Sequence, residues 1–177
     1  LVVQESHLFY APTSLKLEEA AAVPLAAQTS LQALRDIGQL KKGMRVLING
    51  ASGGVGTFAI GLSKIFEAHT TAVTSFRNTS LVSELGADEV IDYTKNDFTK
   101  MNQTFDIIFD CWGNKNFNIV QKNLTENGLY ISTIPNSKNF LFSLKTSLSS
   151  KKGRVVLVKS KKEDLSFLKD VIDGGEL

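Results

Sequence analysis

Cysteine and histidine are scarce in this chain of 177 residues. Cys111 is the only cysteine, so no disulfide can form within the chain, and we expect a reducing, cytoplasmic setting. The two histidines, His7 and His69, are distant in sequence from each other and from Cys111. This spacing predicts that the chain holds no metal, because a zinc site needs several such ligands close together.

An excess of charge of one sign and long apolar runs are also missing. The chain has 20 basic and 18 acidic residues, a formal net charge of +2, which gives no reason to expect a nucleic-acid partner. The basic residues between 151 and 162 have no aromatic residues among them, which indicates a solvated face. No apolar run is long enough to span a bilayer, so no membrane partner is expected.

From Lys42 onward, apolar and β-branched runs alternate with stretches of helical periodicity. This alternation, with short connections, predicts an α/β fold in which helices cover both faces of a parallel sheet. The predicted strands are residues 45–50, 70–75, 89–93, 105–110, 128–133 and 154–158, and the predicted helices are residues 17–24, ending near Pro24, 25–36, 54–67, 78–86, 114–123, 139–149 and 163–172.

The first predicted strand runs directly into a glycine-rich turn, LINGASGGVG, which fits three different motifs. The first is the nucleophile elbow G-x-S-x-G, with Ser52 as the nucleophile. Such a hydrolase needs a histidine on a later loop at the carboxyl edge of the sheet. His69 opens the second predicted strand and therefore lies at the opposite edge, and His7 precedes the turn. The sequence thus disfavours a hydrolase.

The second motif is the turn of short-chain dehydrogenases, T-G-x-x-x-G-x-G, whose glycines match Gly50, Gly54 and Gly56. Those enzymes also carry a catalytic Tyr-x-x-x-Lys pair. Here Asp97 stands four places after Tyr93, and the fourth residue after the tyrosine at 130 is an isoleucine. The missing lysine disfavours this interpretation.

The third motif is a dinucleotide-binding turn of the form G-x-x-G-x-x-G, with Gly50, Gly53 and Gly56. Glycines let the backbone approach a pyrophosphate closely, and the helix that follows offers free N–H groups to the phosphates. The alternative is that these glycines merely close a tight turn between a strand and a helix.

Longer blocks of sequence favour the third motif. GASGGVGTFAIGLSK, LGADEVIDYTKNDF and FDIIFDCWG follow one another, and AAAVPLAAQTSLQAL precedes them. Together they resemble the zinc-free quinone oxidoreductase branch of the medium-chain dehydrogenase/reductase family. The resemblance implies a Rossmann-type, doubly wound parallel sheet of about six strands in the order 3-2-1-4-5-6. It also implies that residues 1–24 are the remnant of a catalytic-domain tail and linker, and that residues 25–177 are the dinucleotide-binding domain.

The resemblance also assigns residues to the cofactor. The glycine turn would contact the pyrophosphate, Thr29, Thr133 and Ile134 would lie near the nicotinamide half, and Tyr93 would reach the adenosine half. For these four side chains the alternative is an ordinary packing or surface role. No catalytic acid or base is identified, because the family's substrate pocket lies between its two domains. The complete expected set is Thr29, Ser52, Gly53, Gly54, Val55, Gly56, Ser75, Arg77, Tyr93, Gly113, Thr133 and Ile134.

The end of the second predicted strand bears on which nucleotide binds. NAD-binding turns place an Asp or Glu there to hold the ribose 2′-hydroxyl. In this chain Ser75 ends the strand and Phe76, Arg77 and Asn78 follow, so no acid is present to repel a 2′-phosphate. Ser75 and Arg77 can bind that phosphate instead. We therefore expect NADP(H), the alternative being that Arg77 is an ordinary exposed arginine.

The function expected from these observations is an NADPH-dependent oxidoreductase that transfers hydride to a quinone or an enone. The chain itself would supply the cofactor-binding domain. The resemblance further implies a homodimer formed through the last strand, RVVLV. A second interpretation remains open, in which a non-catalytic protein uses the same fold to bind a nucleotide or to associate with a partner.

Overall fold

The computed structural model describes residue 2 and residues 8–177, and its centre is a parallel sheet of six strands with helices on both faces. The strands are β1 (Arg45–Asn49), β2 (His69–Thr74), β3 (Glu89–Asp92), β4 (Phe105–Asp110), β5 (Leu124–Ser132) and β6 (Lys152–Val155). The helices are α1 (Leu17–Ala20), α2 (Val23–Leu31), α3 (Gly54–Ile65), α4 (Thr79–Glu84), α5 (Phe117–Val120), α6 (Ser137–Lys145) and α7 (Lys162–Asp173).

The order of the strands in the sheet is β3-β2-β1-β4-β5-β6, which confirms the predicted order. In this order β1 lies at the centre, and the direction of the connections reverses between β1 and β4. Asn49, the last residue of β1, pairs with Val73 of β2 and with Asp110 of β4. The carboxyl ends of these three strands therefore meet at one edge of the sheet, at the switch point where doubly wound folds bind their ligands.

Two apolar cores lie on the two faces of the sheet, because successive side chains of a strand point to opposite sides. Val46 and Ile48 of β1 belong to the larger core, together with buried residues of α2, α3 and α7. Leu47, between them, belongs to the second core with Phe98 and Phe117. Burial on both faces is why the central strands β1 and β4 contain the apolar runs 46–48 and 107–109.

The segment before β1 differs from the prediction. The sequence predicts that a helix ends near Pro24. In the structure Pro24 lies instead in the first turn of α2, where an N–H has no acceptor within the helix, so the missing N–H of proline costs no hydrogen bond. The helix predicted over 25–36 is α-helical only to Leu31 and continues as a π-helical stretch, Gln32–Ile37. Gly38 ends this stretch, as predicted, with its N–H donating to the carbonyl of Ala33.

Element bounds also differ in the second half of the sheet. The helix predicted over 114–123 begins only at Phe117, because the side chain of Asn116 caps it and the residues before it form a loop. The strand predicted over 128–133 begins at Leu124, since a register shift against β4 accommodates the polar residues 125–128 within the strand. The last strand lies at 152–155 rather than 154–158 and forms one edge of the sheet.

No helix in the described part of the chain is both long and apolar enough to cross a membrane.

Candidate nucleotide-binding site

A cavity of about 700 Å³ opens at the carboxyl ends of the strands, above β1. The glycine turn and the first turn of α3 form its centre. The ends of β2 and β3 form one wall, and the loop after β4 forms the other. The lining residues are Asn49, Gly50, Ser52, Gly53, Gly54, Val55, Gly56, Val73, Thr74, Ser75, Asn78, Tyr93, Asn96, Asp97, Phe98, Cys111, Trp112, Asn114 and Lys115.

Two glycines of the turn are required by the fold itself. Gly50 has a φ of +85°, in the left-handed region, and a Cβ there would lie 3.1 Å from the backbone nitrogen of Trp112. A Cβ on Gly56 would lie 2.3 Å from the carbonyl oxygen of Gly50, which no side chain tolerates. For these two positions, the close packing of strand, turn and helix already explains the glycine.

The other two glycines have no such requirement. The nearest atom to a Cβ on Gly53 would be 3.4 Å away, and the nearest to a Cβ on Gly54 would be 3.9 Å away, both ordinary contacts. Gly53 is the N-cap of α3, and no side chain caps this helix. The first N–H groups of the twelve-residue helix therefore face the cavity without a side-chain partner, an arrangement that fits a phosphate group.

Ser52 is held in a group of small polar side chains. Its hydroxyl accepts hydrogen bonds from Thr74 Oγ1 at 2.9 Å and from Asn78 Nδ2 at 3.1 Å. His69 opens β2 at the opposite edge of the sheet, where its Nε2 lies 3.1 Å from Glu89 Oε1 and lowers the pKa of that carboxyl. His7 lies outside the described residues. Among the described residues, Ser52 thus has no histidine beside it, as the sequence indicated.

The end of β2 carries no acidic side chain, as expected. Ser75 and Tyr93 line the cavity, and Tyr93 is 62% exposed. Arg77 lies in a short 3₁₀ turn, Phe76–Asn78, and is exposed, but it stands outside the residues that line the cavity. Its guanidinium would have to reach in from the rim. The register places Asp92 of β3 beside the end of β2, where Thr94 donates two hydrogen bonds to its carboxylate and lowers its pKa.

Asp110 is a buried carboxylate at the end of β4 with four hydrogen-bond donors. Its Oδ1 accepts from Asn49 Nδ2 at 2.7 Å and from the Gly113 N–H at 2.8 Å. Its Oδ2 accepts from the Tyr130 hydroxyl at 3.0 Å and from the Lys115 N–H at 3.1 Å. The sequence marks Asp110 only as the last residue of the predicted strand 105–110 and not as the centre of this cluster, because the other members come from β1, the loop after β4 and β5. The only signal was a charged residue directly after the apolar run 107–109.

Burial next to Asp110 affects two further groups. Desolvation raises the pKa of the Cys111 thiol, and the nearby Asp110 carboxylate raises it further. The same two causes, in the same order, raise the pKa of the Tyr130 hydroxyl. Both groups therefore remain protonated at neutral pH, so Cys111 is not set up as a nucleophile although it lines the cavity.

Five of the predicted cofactor residues lie outside the cavity: Arg77, described above, and Thr29, Gly113, Thr133 and Ile134. The Thr29 hydroxyl donates to the carbonyl of Leu25, one turn earlier in α2, at 2.7 Å. Gly113, with a φ of +75°, packs so closely on Ile134 that a Cβ there would lie 2.0 Å from the Ile134 side chain. Thr133 lies beside them, where its hydroxyl donates to the Cys111 carbonyl at 3.3 Å. These last three form a separate group at the ends of β4 and β5.

A zinc ion does not fit the described residues. Within residues 8–177 no three His, Cys, Asp or Glu side chains come together in a group that could hold a metal. His69 and Cys111, the two softest candidate ligands, lie at opposite ends of the sheet.

Known proteins resemble this chain over most of its length. The chloroplast envelope quinone oxidoreductase homolog of Arabidopsis thaliana is 34% identical over 177 aligned residues, covering 94% of this chain. The human mitochondrial NAD(P)H oxidoreductase RTN4IP1 is 44% identical over 120 residues, 64% of this chain and 30% of that protein. The 2-methylene-furan-3-one reductase of Solanum lycopersicum is 39% identical over 113 residues, 63% of this chain and 29% of that protein.

The fold is also similar to a solved structure, the quinone oxidoreductase from Coxiella burnetii. The two superpose with a TM-score of 0.82 at 27% identity, covering 96% of this chain and 53% of that one. The chain spans about half of the length of its relatives, 54% in the case of the Arabidopsis protein. In addition, the sequence model of the family described as "Zinc-binding dehydrogenase" matches residues 85–177. The chain therefore belongs to the medium-chain dehydrogenase/reductase family, among relatives of its quinone oxidoreductases, as the sequence blocks around the glycine turn predicted.

Proposed function

We propose that this chain is the cofactor-binding part of an NADPH-dependent oxidoreductase of the quinone or enone reductase type. One observation carries the proposal: α3 begins without a side-chain cap, and Gly53 and Gly54 leave its N–H groups open to the cavity. Backbone donors and the positive end of the helix dipole stabilise a pyrophosphate there. The nicotinamide, when bound, supplies the hydride, and the chain binds and orients it.

NADPH is favoured over NADH by the end of β2. No carboxylate at residues 75–78 repels a 2′-phosphate. Ser75 lines the cavity, and the exposed Arg77 follows it two residues later in the chain, outside the lining residues. A hydrogen bond to a charged group contributes roughly 1.5–3 kcal/mol. Because Arg77 is exposed to solvent, we expect its contribution to lie at the lower end of that range. This corresponds to about tenfold tighter binding of NADPH than of NADH.

The substrate class comes from the relatives. The names of two of them refer to quinones and to a furanone with a conjugated double bond. Both compounds accept a hydride at a double bond conjugated to a carbonyl group. We propose that the whole protein reduces a small molecule of this kind without zinc, in the cytoplasm, and as a homodimer paired through the exposed edge strand β6.

Calorimetric titration of the chain with NADPH and NADH tests the cofactor. We expect NADPH to bind at least tenfold more tightly, and Arg77→Ala to remove most of that difference. Lys122→Ala is the control, because Lys122 is an exposed cation just before β5, at the amino ends of the strands and away from the cavity. Equal affinities for the two nucleotides, or NADPH binding that is unchanged in Arg77→Ala, would contradict the preference.

Activity of the full-length protein separates an enzyme from a non-catalytic nucleotide-binding protein. NADPH oxidation that depends on an added quinone or enone supports the enzyme. Tight NADPH binding with no oxidation by any acceptor of either class would favour the non-catalytic alternative.

A further inference from the structure

Trp112 is the only tryptophan of the chain, and this residue is 70% exposed although it lines the cavity. Among the described residues, no aromatic ring or cation stacks on it. Indole rings usually bury most of their large apolar surface. An indole that is left open inside a ligand cavity therefore indicates a missing partner with a flat face.

The loop that carries Trp112 is fixed on both sides of this residue. The Cys111 N–H donates to the carbonyl of Asn49 at 2.9 Å, and the Gly113 N–H donates to Asp110 Oδ1 at 2.8 Å. A Cβ on Gly50 would lie only 3.1 Å from the Trp112 backbone, so the glycine turn and the Trp112 loop are in close contact. The exposure of the indole is thus a consequence of a rigid loop, held by the buried Asp110 carboxylate.

The position of the indole distinguishes between the two rings of a dinucleotide. Trp112 shares its cavity with Ser75, Asn78 and Tyr93 from the ends of β2 and β3, where the 2′-phosphate of the adenosine would bind. Thr133 and Ile134, at the end of β5, do not line this cavity. The ring that reaches Trp112 is therefore the purine.

We propose that Trp112 is a stacking surface for the purine base of the nucleotide, and that Asp110 is the positioning residue that holds it there. The inference rests on the proposed function, since it concerns the same cavity. Stacking of a base on an aromatic side chain needs no hydrogen-bonding group from the protein. Removing such a ring weakens binding by roughly tenfold or more.

Half-ligands test the stacking directly, because Trp112 is the sole source of tryptophan emission. Adenosine 2′,5′-bisphosphate carries the purine without the nicotinamide, and nicotinamide mononucleotide carries the nicotinamide without the purine. We expect the bisphosphate to quench the emission of the 177-residue chain and the mononucleotide to leave it unchanged. By calorimetry, Trp112→Leu should bind the bisphosphate at least tenfold more weakly, whereas Trp112→Phe should retain most of the affinity. Tyr10→Leu, an exposed aromatic outside the cavity, is the control.

Asp110→Asn tests the positioning role. An amide at this position can accept hydrogen bonds through only one oxygen, so Gly113 or Lys115 loses its partner and the loop shifts. We expect a shifted emission maximum in the free chain and a weaker bisphosphate complex. The control is Asp106→Asn on the same strand, where the carboxylate accepts from the Arg45 N–H and from Thr125 at the opposite edge of the sheet.

The outcomes separate this inference from the proposed function. NADPH and bisphosphate binding that is equally tight in Trp112→Leu and in the unmodified chain would overturn the stacking surface and leave the proposed cofactor in place. Quenching by the bisphosphate, together with no quinone- or enone-dependent oxidation by the full-length protein, would overturn the proposed enzyme and leave the stacking surface in place. Binding of no nucleotide at all would overturn both.

Discussion

The glycine turn allows a sharp prediction, because two of its glycines differ in what surrounds them. In Gly56→Ala the new methyl group would lie 2.3 Å from the Gly50 carbonyl oxygen and 2.7 Å from two backbone atoms of Ala51. No flexible side chain can move away, so the backbone must shift by about 1 Å to reach an ordinary contact. In Gly54→Ala the nearest atom is the Cβ of Ala26 at 3.9 Å, and nothing has to move.

The magnitudes follow from these contacts. Overpacking costs about 1–3 kcal/mol, and the better helix propensity of alanine returns up to about 1 kcal/mol. We expect Gly56→Ala to be destabilised by about 1–2 kcal/mol, which lowers Tm by about 2–8 °C in a chain of this size. Gly54→Ala keeps only the favourable contribution, so its Tm should be equal to or a little above that of the unmodified chain.

Thermal melts followed by circular dichroism measure both variants under the same conditions. A Gly56→Ala chain with the same Tm as the unmodified chain would refute the predicted clash. A Gly54→Ala chain that loses as much stability as Gly56→Ala would refute it as well. Gly53→Ala adds a readout of function. Its methyl group would meet only the Gly50 carbonyl oxygen at 3.4 Å, so the fold tolerates it, but the group stands at the cavity wall and should weaken NADPH binding.

Three further predictions concern the chain as a whole. The isolated chain should unfold in one cooperative transition in heat or urea, because its two cores share one sheet; a broad transition would count against this. Light scattering should show a dimer, since β6 is an exposed edge strand, and a monomer at high concentration would be inconsistent with pairing through it. Lys169 and the Ser14 N–H lower the pKa of Asp173, so its contribution to stability is present above the ordinary aspartate value of about 4 and is lost as the pH falls below it. Asp173→Asn should therefore flatten the acid part of the stability curve, whereas Glu163→Gln, an exposed acid of α7, should leave it unchanged.

The sequence by itself determined the α/β class, the strand–helix alternation and, through the resemblance, the strand order. These are local or near-local properties: a buried strand reads as an apolar run, and a short strand–turn–helix unit such as LINGASGGVG is complete within about twenty residues. Two predictions before β1 were wrong, the helix end at Pro24 and the α-helix over residues 25–36, and both rested on local sequence signals. A proline such as Pro24 marks either the end of one helix or the first turn of the next, and only packing shows which.

The tertiary structure decided what depends on the distance between segments. It brought Asn49, Asp110 and Tyr130 together from three strands, and it placed the Trp112 backbone beside the glycine turn. It also separated glycines that look equivalent in sequence: Gly50 and Gly56 serve the packing of the turn, whereas Gly53 and Gly54 leave the start of α3 open. The physical reason is that parallel strands are joined by long crossovers, so residues that meet at the end of the sheet are far apart in the chain.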